Sequence, residues 1–226
     1  MHELMEKLKT CSLFRDLPDS VLENQILHQG NLMDIPKNTA VIQYQEKVDY
    51  FSIVISGRIH TLHYFADGSY SICHVLRPGG VIGVDLLWTG SRSAPYFAVA
   101  AESSQILRFP AFLLEASGGL EEKWRMQILE RVLAVISMDN MRKEYRLTIL
   151  SRKGLRERIL TYLSMQAAKR RTATFTIPFT REEMASFLCV NRSAMCHELS
   201  MMQQEGLIRF QKNEFTLCNW EPNMIS

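Results

Sequence analysis

No apolar run in this 226-residue chain approaches the roughly 18 residues needed to cross a bilayer. The opening MHELMEKLKTC is too charged and too weakly apolar for a secretory signal. A cytoplasmic protein with no membrane partner is expected. Cysteine is sparse and scattered: Cys11, Cys73, Cys189, Cys196 and Cys218 form no C-x-x-C pair. An odd, dispersed set in such a chain argues against a disulfide framework, and most of these thiols read as small buried hydrophobes. No paired carboxylates, nucleophile motif or phosphate loop stands out, so no enzymatic activity, metal site or cofactor is expected.

Charge of one sign is also missing overall, because the formal net charge is only +2. That figure conceals a division. Met1 to Thr148 carries 15 Lys/Arg against 17 Asp/Glu, whereas Ile149 to Ser226 carries 11 against 7. A basic excess confined to one end points to a nucleic-acid partner, although on charge alone a solvated basic face is the commoner explanation.

From about Asn31 to Phe112 the sequence reads as short strands. Thr39–Tyr44, Tyr50–Ile55, Arg58–Phe65, Tyr70–Leu76 and Phe97–Phe109 alternate or run apolar, punctuated by Gly57, Asp67-Gly68, Pro78-Gly79-Gly80 and Gly90. Strands at this spacing suggest an antiparallel barrel or sandwich, and Asp67-Gly68 signals a hairpin with a primed turn. Glycine and proline then disappear from Leu120 to about Thr148, which predicts a helix roughly 40 Å long at 1.5 Å per residue. Its apolar residues, among them Trp124, Ile128, Val135 and Met138, occupy more than one face, and so wide a stripe needs two surfaces to bury it. One would be the chain's own barrel; the other, the same helix of a second copy.

The remainder reads helix, strand, helix, turn, helix, hairpin. Leu155, Ile159, Leu160 and Leu163 mark the first helix, and Thr174 to Phe179 a strand. Thr180-Arg181-Glu182-Glu183 is a capping box that starts a second helix. Cys189-Val190-Asn191 forms a three-residue turn in which Asn191 caps a helix from Arg192 to about Glu205, closed by Gly206. Ile208–Phe210 and Phe215–Leu217 pair across Lys212-Asn213 as a wing. The whole is a winged helix-turn-helix. Met195, Leu199 and Met202 fall on one side of the last helix; Arg192, Ser193, Cys196, His197, Ser200 and Gln203 fall on the other, where a DNA major groove would meet them.

The order of these parts, together with FTREEMASFLCVNRSAMCHELSMMQQEGLI and the turn glycines Gly57, Gly68, Gly79 and Gly83, resembles the Crp/Fnr family of bacterial transcription factors, those of the cyclic-AMP receptor and fumarate-nitrate reduction type. The resemblance covers nearly the whole chain. It implies an α+β fold with a cyclic-nucleotide-binding-like antiparallel barrel of jelly-roll type over residues 1–118, a dimerisation helix over 119–148 and a winged helix-turn-helix over 149–226. It further implies an effector-responsive homodimer on near-palindromic double-stranded DNA, with RNA polymerase as a further partner. Ligand binding would then bias how the two long helices pack, and hence how far apart the reading helices lie.

The departures from the family pattern are informative. Cyclic-AMP readers carry a Glu and an Arg-Ser pair in the stretch that here reads VIGVDLLWTGSRSAPYF. Val84 occupies the Glu position, Asp85 would serve only after a one-residue shift, and Arg92 fits only with a gap, so cyclic AMP is disfavoured and Arg92 reads more simply as a solvated loop residue. Iron–sulfur sensing would need clustered N-terminal cysteines, and only Cys11 lies there. Leu62, Tyr64, Ile72, His74 and Leu76 alternate as the lining of an effector pocket for a less polar or aromatic molecule, or simply as packed core. His60 and His74 could share a face and hold haem, the rival reading being a small-molecule or haem sensor whose winged helix meets protein. In the reading helix, Arg192 and Ser193 match the family, while His197 replaces the usual Arg and would weaken or change base preference. Cys196 stands where a small hydroxyl residue is usual. Asn191, Thr180, Lys169-Arg170-Arg171 and Lys212 are the remaining expected DNA contacts, mostly to phosphates.

Overall fold

The computed structural model describes residues 2–220. Among them no helix is long and apolar enough to cross a membrane. The chain divides into two compact units, one up to Asn140 and one from Met141.

The first unit opens with α1 (His2–Lys9), which buries Met5 and Leu8, and the single turn α2 (Asp19–Val21), which runs on as a π turn and a 3-10 turn to Gln29. Eight strands follow: β1 (Asn31–Ile35), β2 (Ala40–Ile42), β3 (Tyr50–Ser56), β4 (Ile59–Tyr64), β5 (Tyr70–Leu76), β6 (Val81–Ile82), β7 (Phe97–Ala100) and β8 (Ser104–Pro110). They form two four-stranded antiparallel sheets, β1-β8-β3-β6 and β2-β7-β4-β5. The expected barrel is thus a jelly-roll-like pair of sheets and not a closed cylinder. The expected strand from Phe97 to Phe109 is two strands. Its break lies beside Gly57, where φ is +80° and a Cβ would stand 2.3 Å from Ser104 Oγ, so only glycine fits the turn.

Strand periodicity sorts β3 and β8 into two cores. Phe51, Ile53, Leu107 and Phe109 pack with Leu8, Phe14 and Leu22 under the helices. Val54 and Ile106 face the other way and join Ile59, Ile82, Ala98 and Ala100 between the sheets. The hairpin between β4 and β5 is present, yet its turn is not the two-residue primed form. Phe65 N–H donates to Ser69 O at 2.8 Å and Gly68 N–H to Phe65 O at 3.0 Å, and of Asp67 and Gly68 only the glycine has positive φ. This is the three-residue hairpin, in which a turn is followed by a left-handed glycine.

The long helix is α3 (Glu122–Leu150). Ile128 and Val132 are buried, and Trp124 and Val135 pack half-buried beside them on the first unit's helix-covered core. Of the four residues expected to leave apolar surface for a second copy, Ile128 is covered, Trp124 and Val135 are half-covered and Met138 is exposed. The other uncovered apolar residues are led by Leu133 at 65% exposure, with Met126, Met141, Tyr145 and Leu147.

The second unit contains the end of α3, then α4 (Leu155–Arg170), β9 (Thr174–Thr176), α5 (Arg181–Phe187), α6 (Arg192–Gln204), β10 (Ile208–Gln211) and β11 (Glu214–Leu217). The strands form one antiparallel sheet in the order β10-β11-β9. Ile159, Leu163, Met184, Met195, Leu199 and Phe215 lie in its core. β9 is shorter than the strand expected to reach Phe179. After Ile177 donates to Asn213 O, Pro178 has no N–H to continue the ladder.

Candidate nucleic-acid interface

Local chemistry places the two reading helices. Thr180 Oγ accepts from Glu183 N–H at 3.2 Å while Glu183 Oε accepts from Thr180 N–H at 2.8 Å, which completes the capping box of α5. At the other end of α5, Val190 N–H returns to Ala185 O and Cys189 N–H to Ser186 O. These two bonds are a Schellman closure, with Cys189 at φ +54° in the left-handed place usually taken by glycine. Arg146 braces this turn: its Nε donates to Phe187 O at 3.2 Å and one Nη lies 3.6 Å from Cys189 Sγ. Asn191 then caps α6 by accepting from Ser193 N–H at 2.8 Å.

On α6 the apolar residues Met195, Leu199 and Met202 are buried, and Arg192, Ser193, His197 and Ser200 are exposed. Two positions beside that face are also engaged within the unit. Cys196 is half-buried against the unit's core, because its position lies at the edge of the apolar face and not on the open one. Gln203 is exposed, but its side-chain oxygen accepts from Phe210 N–H at 3.0 Å, so it ties α6 to β10. Ser193 keeps an exposed position while its hydroxyl donates to Asn191 Oδ1, which leaves its lone pairs for an incoming donor.

Lys169, Arg170 and Arg171 are exposed at the end of α4. Arg170 is steadied by Gln166, whose carbonyl and side-chain oxygens accept from it at 3.2 and 2.6 Å. Lys212 sits exposed at the wing tip with φ +51°. Its carbonyl accepts from Arg181 Nη2 at 2.6 Å, and the Arg181 guanidinium lies 4.9 and 4.8 Å from the ring centres of Phe210 and Phe215. Burial lowers the Arg181 pKa from its ordinary value, the cost of holding this cation under the wing.

Arg181 carries no linear signal for that role, since its aromatic partners come about thirty positions later. The same holds for Arg156 of α4, which donates from Nε to Glu198 Oε1 at 2.6 Å and from both terminal nitrogens to Glu205. These bonds fix α6 against α4 from the side opposite the exposed face.

The first unit separates the residues expected to line one pocket. Thr61 pairs with His74 but Leu62 pairs with Ile72, so one extra residue, Cys73, bulges from β5. The parity of β5 flips there. His74 and Leu76 lie on the face of Ile59, Ala98 and Ala100, whereas Leu62, Tyr64 and Ile72 lie on the opposite face with Phe97. His60 pairs with Val75, so His60 and His74 point to opposite faces of the sheet and do not share the face expected of them. No cluster of three or more potential metal-ligating side chains is present among the described residues.

Val84 is buried in the helix-covered core. Asp85 accepts from Tyr96 O–H at 2.8 Å, and burial together with the Asp85 charge holds that hydroxyl far above the ordinary tyrosine range. Arg92 is exposed in a left-handed turn at φ +49°. Of these three positions, Val84 has no polar side-chain atom, Asp85 engages Tyr96 through one oxygen, and Arg92 is exposed.

Comparison with known proteins agrees with this architecture. Residues 32–115 match the cyclic nucleotide-binding domain and residues 157–222 the Crp-like helix-turn-helix domain. The fumarate and nitrate reduction regulatory protein of Salmonella typhi is 22% identical over 212 residues, covering 90% of this chain and 82% of that protein. Electron transport regulator A of Shewanella oneidensis is 24% identical over 179 residues, 77% of this chain and 69% of that one. Among solved structures, the c-di-GMP responsive global regulator CLP of Xanthomonas campestris superposes with a TM-score of 0.68 at 15% identity, covering 89% of this chain and all of that one. FixK2 of Bradyrhizobium japonicum gives 0.62 at 19%, with 84% and 93% covered. With a nucleotide-binding-type jelly roll, a long helix and a Crp-like helix-turn-helix in that order, the chain belongs to the Crp/Fnr family of DNA-binding, effector-responsive transcriptional regulators.

Proposed function

We propose that the protein acts in the cytoplasm as a homodimer that binds near-palindromic duplex DNA through two copies of α6. The observation that carries this reading is the division of labour on α6: its apolar face is consumed by packing, while Arg192, Ser193 and His197 on its first turns remain uncovered. A two-fold dimer would present those turns to successive major grooves about 34 Å apart. Lys169, Arg170, Arg171, Lys212 and Thr180 would meet phosphates and so supply affinity without reading sequence. The output of the protein is occupancy of DNA and not catalysis, with RNA polymerase as the partner through which occupancy acts.

The first unit is the sensor. Buried Val84, engaged Asp85 and exposed Arg92 support an effector other than cyclic AMP. Selection of operators from a random duplex pool, followed by salt titration, tests the DNA reading: palindromic winners and steeply salt-dependent affinity are expected. Failure to enrich any sequence would defeat it. Micromolar binding of cyclic AMP by calorimetry, lost on Arg92→Ala, would defeat the effector reading.

A further inference from the structure

Two polar side chains occupy places on β3 and β8 where alternation calls for apolar ones. Val54 and Ile106 face the core between the two sheets, and Ser52 and Arg108, two positions along each strand, turn to the same side. They are direct cross-strand partners. Tyr50, the next residue of that parity, and Tyr96 pack on the same core. Ser52 is fully buried, and its hydroxyl has no hydrogen-bond partner among the described residues. A serine in that state has given up water and gained no bond in return.

Arg108 is half-buried and incompletely engaged. Its guanidinium lies 3.8 Å from the centre of the Tyr50 ring, and Nη2 donates to Val41 O at 3.2 Å. Nε is enclosed without a partner, and among the described residues no carboxylate pairs with this cation. Glu46 and Asp85 are engaged by the tyrosines instead, accepting from Tyr50 O–H at 2.7 Å and from Tyr96 O–H at 2.8 Å.

We propose that Arg108 and Ser52 form the anion-binding end of the effector site, and that the effector is a small organic acid held through one carboxylate. The inference rests on the sensor reading above and names the chemical class of the ligand. A guanidinium matches a carboxylate with two parallel N–H bonds, and the Ser52 hydroxyl supplies a further donor one strand away. The Tyr50 and Tyr96 rings would meet the carbon body of the acid. One cation near Glu46 and Asp85 suits a single negative charge. A phosphate monoester, with a charge of about −2, would face those carboxylates uncompensated.

This places the reading of the anion on strand β8 and not on the loop that carries Arg92, which is exposed and tied at its carbonyl to Val48 N–H at 2.9 Å. Because Nε and Ser52 Oγ are enclosed, binding requires the guanidinium to turn from Val41 O. That carbonyl keeps Tyr50 O–H within 3.1 Å as a second donor.

Thermal melting and calorimetry of the full chain test the site with acetate, butyrate and benzoate as probes, and with benzamide as the uncharged match of benzoate. At least one carboxylate should raise the wild-type melting midpoint saturably, and benzamide should not. Arg108→Gln should weaken that binding about tenfold or more, and Arg108→Lys should recover part of it. Ser52→Ala should weaken it about threefold or more while leaving the ligand-free midpoint unchanged or higher, because it removes a buried hydroxyl that bonds to nothing. Arg92→Ala should bind as the wild type does. Binding that survives Arg108→Gln, an equal response to benzamide, or no saturable response to any of the three carboxylates overturns the proposal and leaves DNA recognition untouched. Micromolar binding of cyclic AMP, lost on Arg92→Ala, overturns the effector reading on which it rests.

Discussion

Arg156 of α4 grips Glu205 at the end of α6 through both terminal nitrogens, 2.7 and 2.8 Å from the two carboxylate oxygens. The paired geometry fixes direction as well as distance, which a lysine could not do. Because Nε also holds Glu198, one side chain sets both the tilt and the rotation of the reading helix. Arg156→Ala should lower both operator affinity and discrimination between operators, and Arg156→Lys should restore only part of each. Competition binding against specific and random duplexes separates these outcomes; intact discrimination in Arg156→Ala would show that α6 is set by its core alone.

Arg181 should control the wing. Removing it strands the Lys212 carbonyl and deletes two ring contacts, at a cost of roughly 1 to 2 kcal/mol to the second unit. Arg181→Ala should therefore lower the denaturation midpoint and weaken DNA binding to all sequences alike. Lys212→Ala should leave the midpoint unchanged and reduce the slope of log affinity against log salt by about one. Parallel melts and salt titrations of the two variants check the distinction.

Arg192→Ala should reduce base discrimination by roughly 1 to 3 kcal/mol while leaving the fold and the self-association unaltered. Replacement of Lys169, Arg170 and Arg171 together should instead lower affinity for every duplex and flatten its salt dependence. An operator preference unchanged in Arg192→Ala would place base reading elsewhere on α6.

Cys11 is fully buried, and burial pushes its thiol up to about 11 from an ordinary 9.0. The folded chain thus retains a proton that the unfolded chain releases first. The stabilisation is complete below pH 9 and is lost as pH rises from 9 to 11, on the order of 2 kcal/mol in all. Urea denaturation of the wild type should show this loss between pH 8 and 10.5, and Cys11→Ala should show less of it. At pH 8 a thiol reagent should modify exposed Cys189 and Cys218 first and Cys11 only on unfolding.

The second unit was legible almost residue by residue because its signals are local. A capping box spans four residues, an Asn cap three, and the wing is one hairpin; Thr180, Asn191 and Lys212 stand where those rules put them. Turns of this kind are decided by backbone bonds between near neighbours. In the first unit the glycine turns marked β2, β3, β4 and β5, whereas β1, β6, the division of β7 from β8 and the order of strands in the sheets had no such local signal.

Sequence by itself therefore determined the order of the three main parts, the succession of elements in the second unit, the family, the apolar face of α6 and the residues left uncovered on its first turns. Tertiary structure alone decided which face of β5 holds His74, because a bulge at Cys73 reverses parity through pairing with another strand, which no alternation pattern within β5 reveals. It also decided that Val135 and Trp124 are half-covered while Leu133 is exposed, since a helix apolar on several sides does not say which side its own domain will take. Arg156 and Arg181 belong to the same class: their partners lie 42 to 49 and about thirty positions away, and only packing brings each charge to the group that holds it.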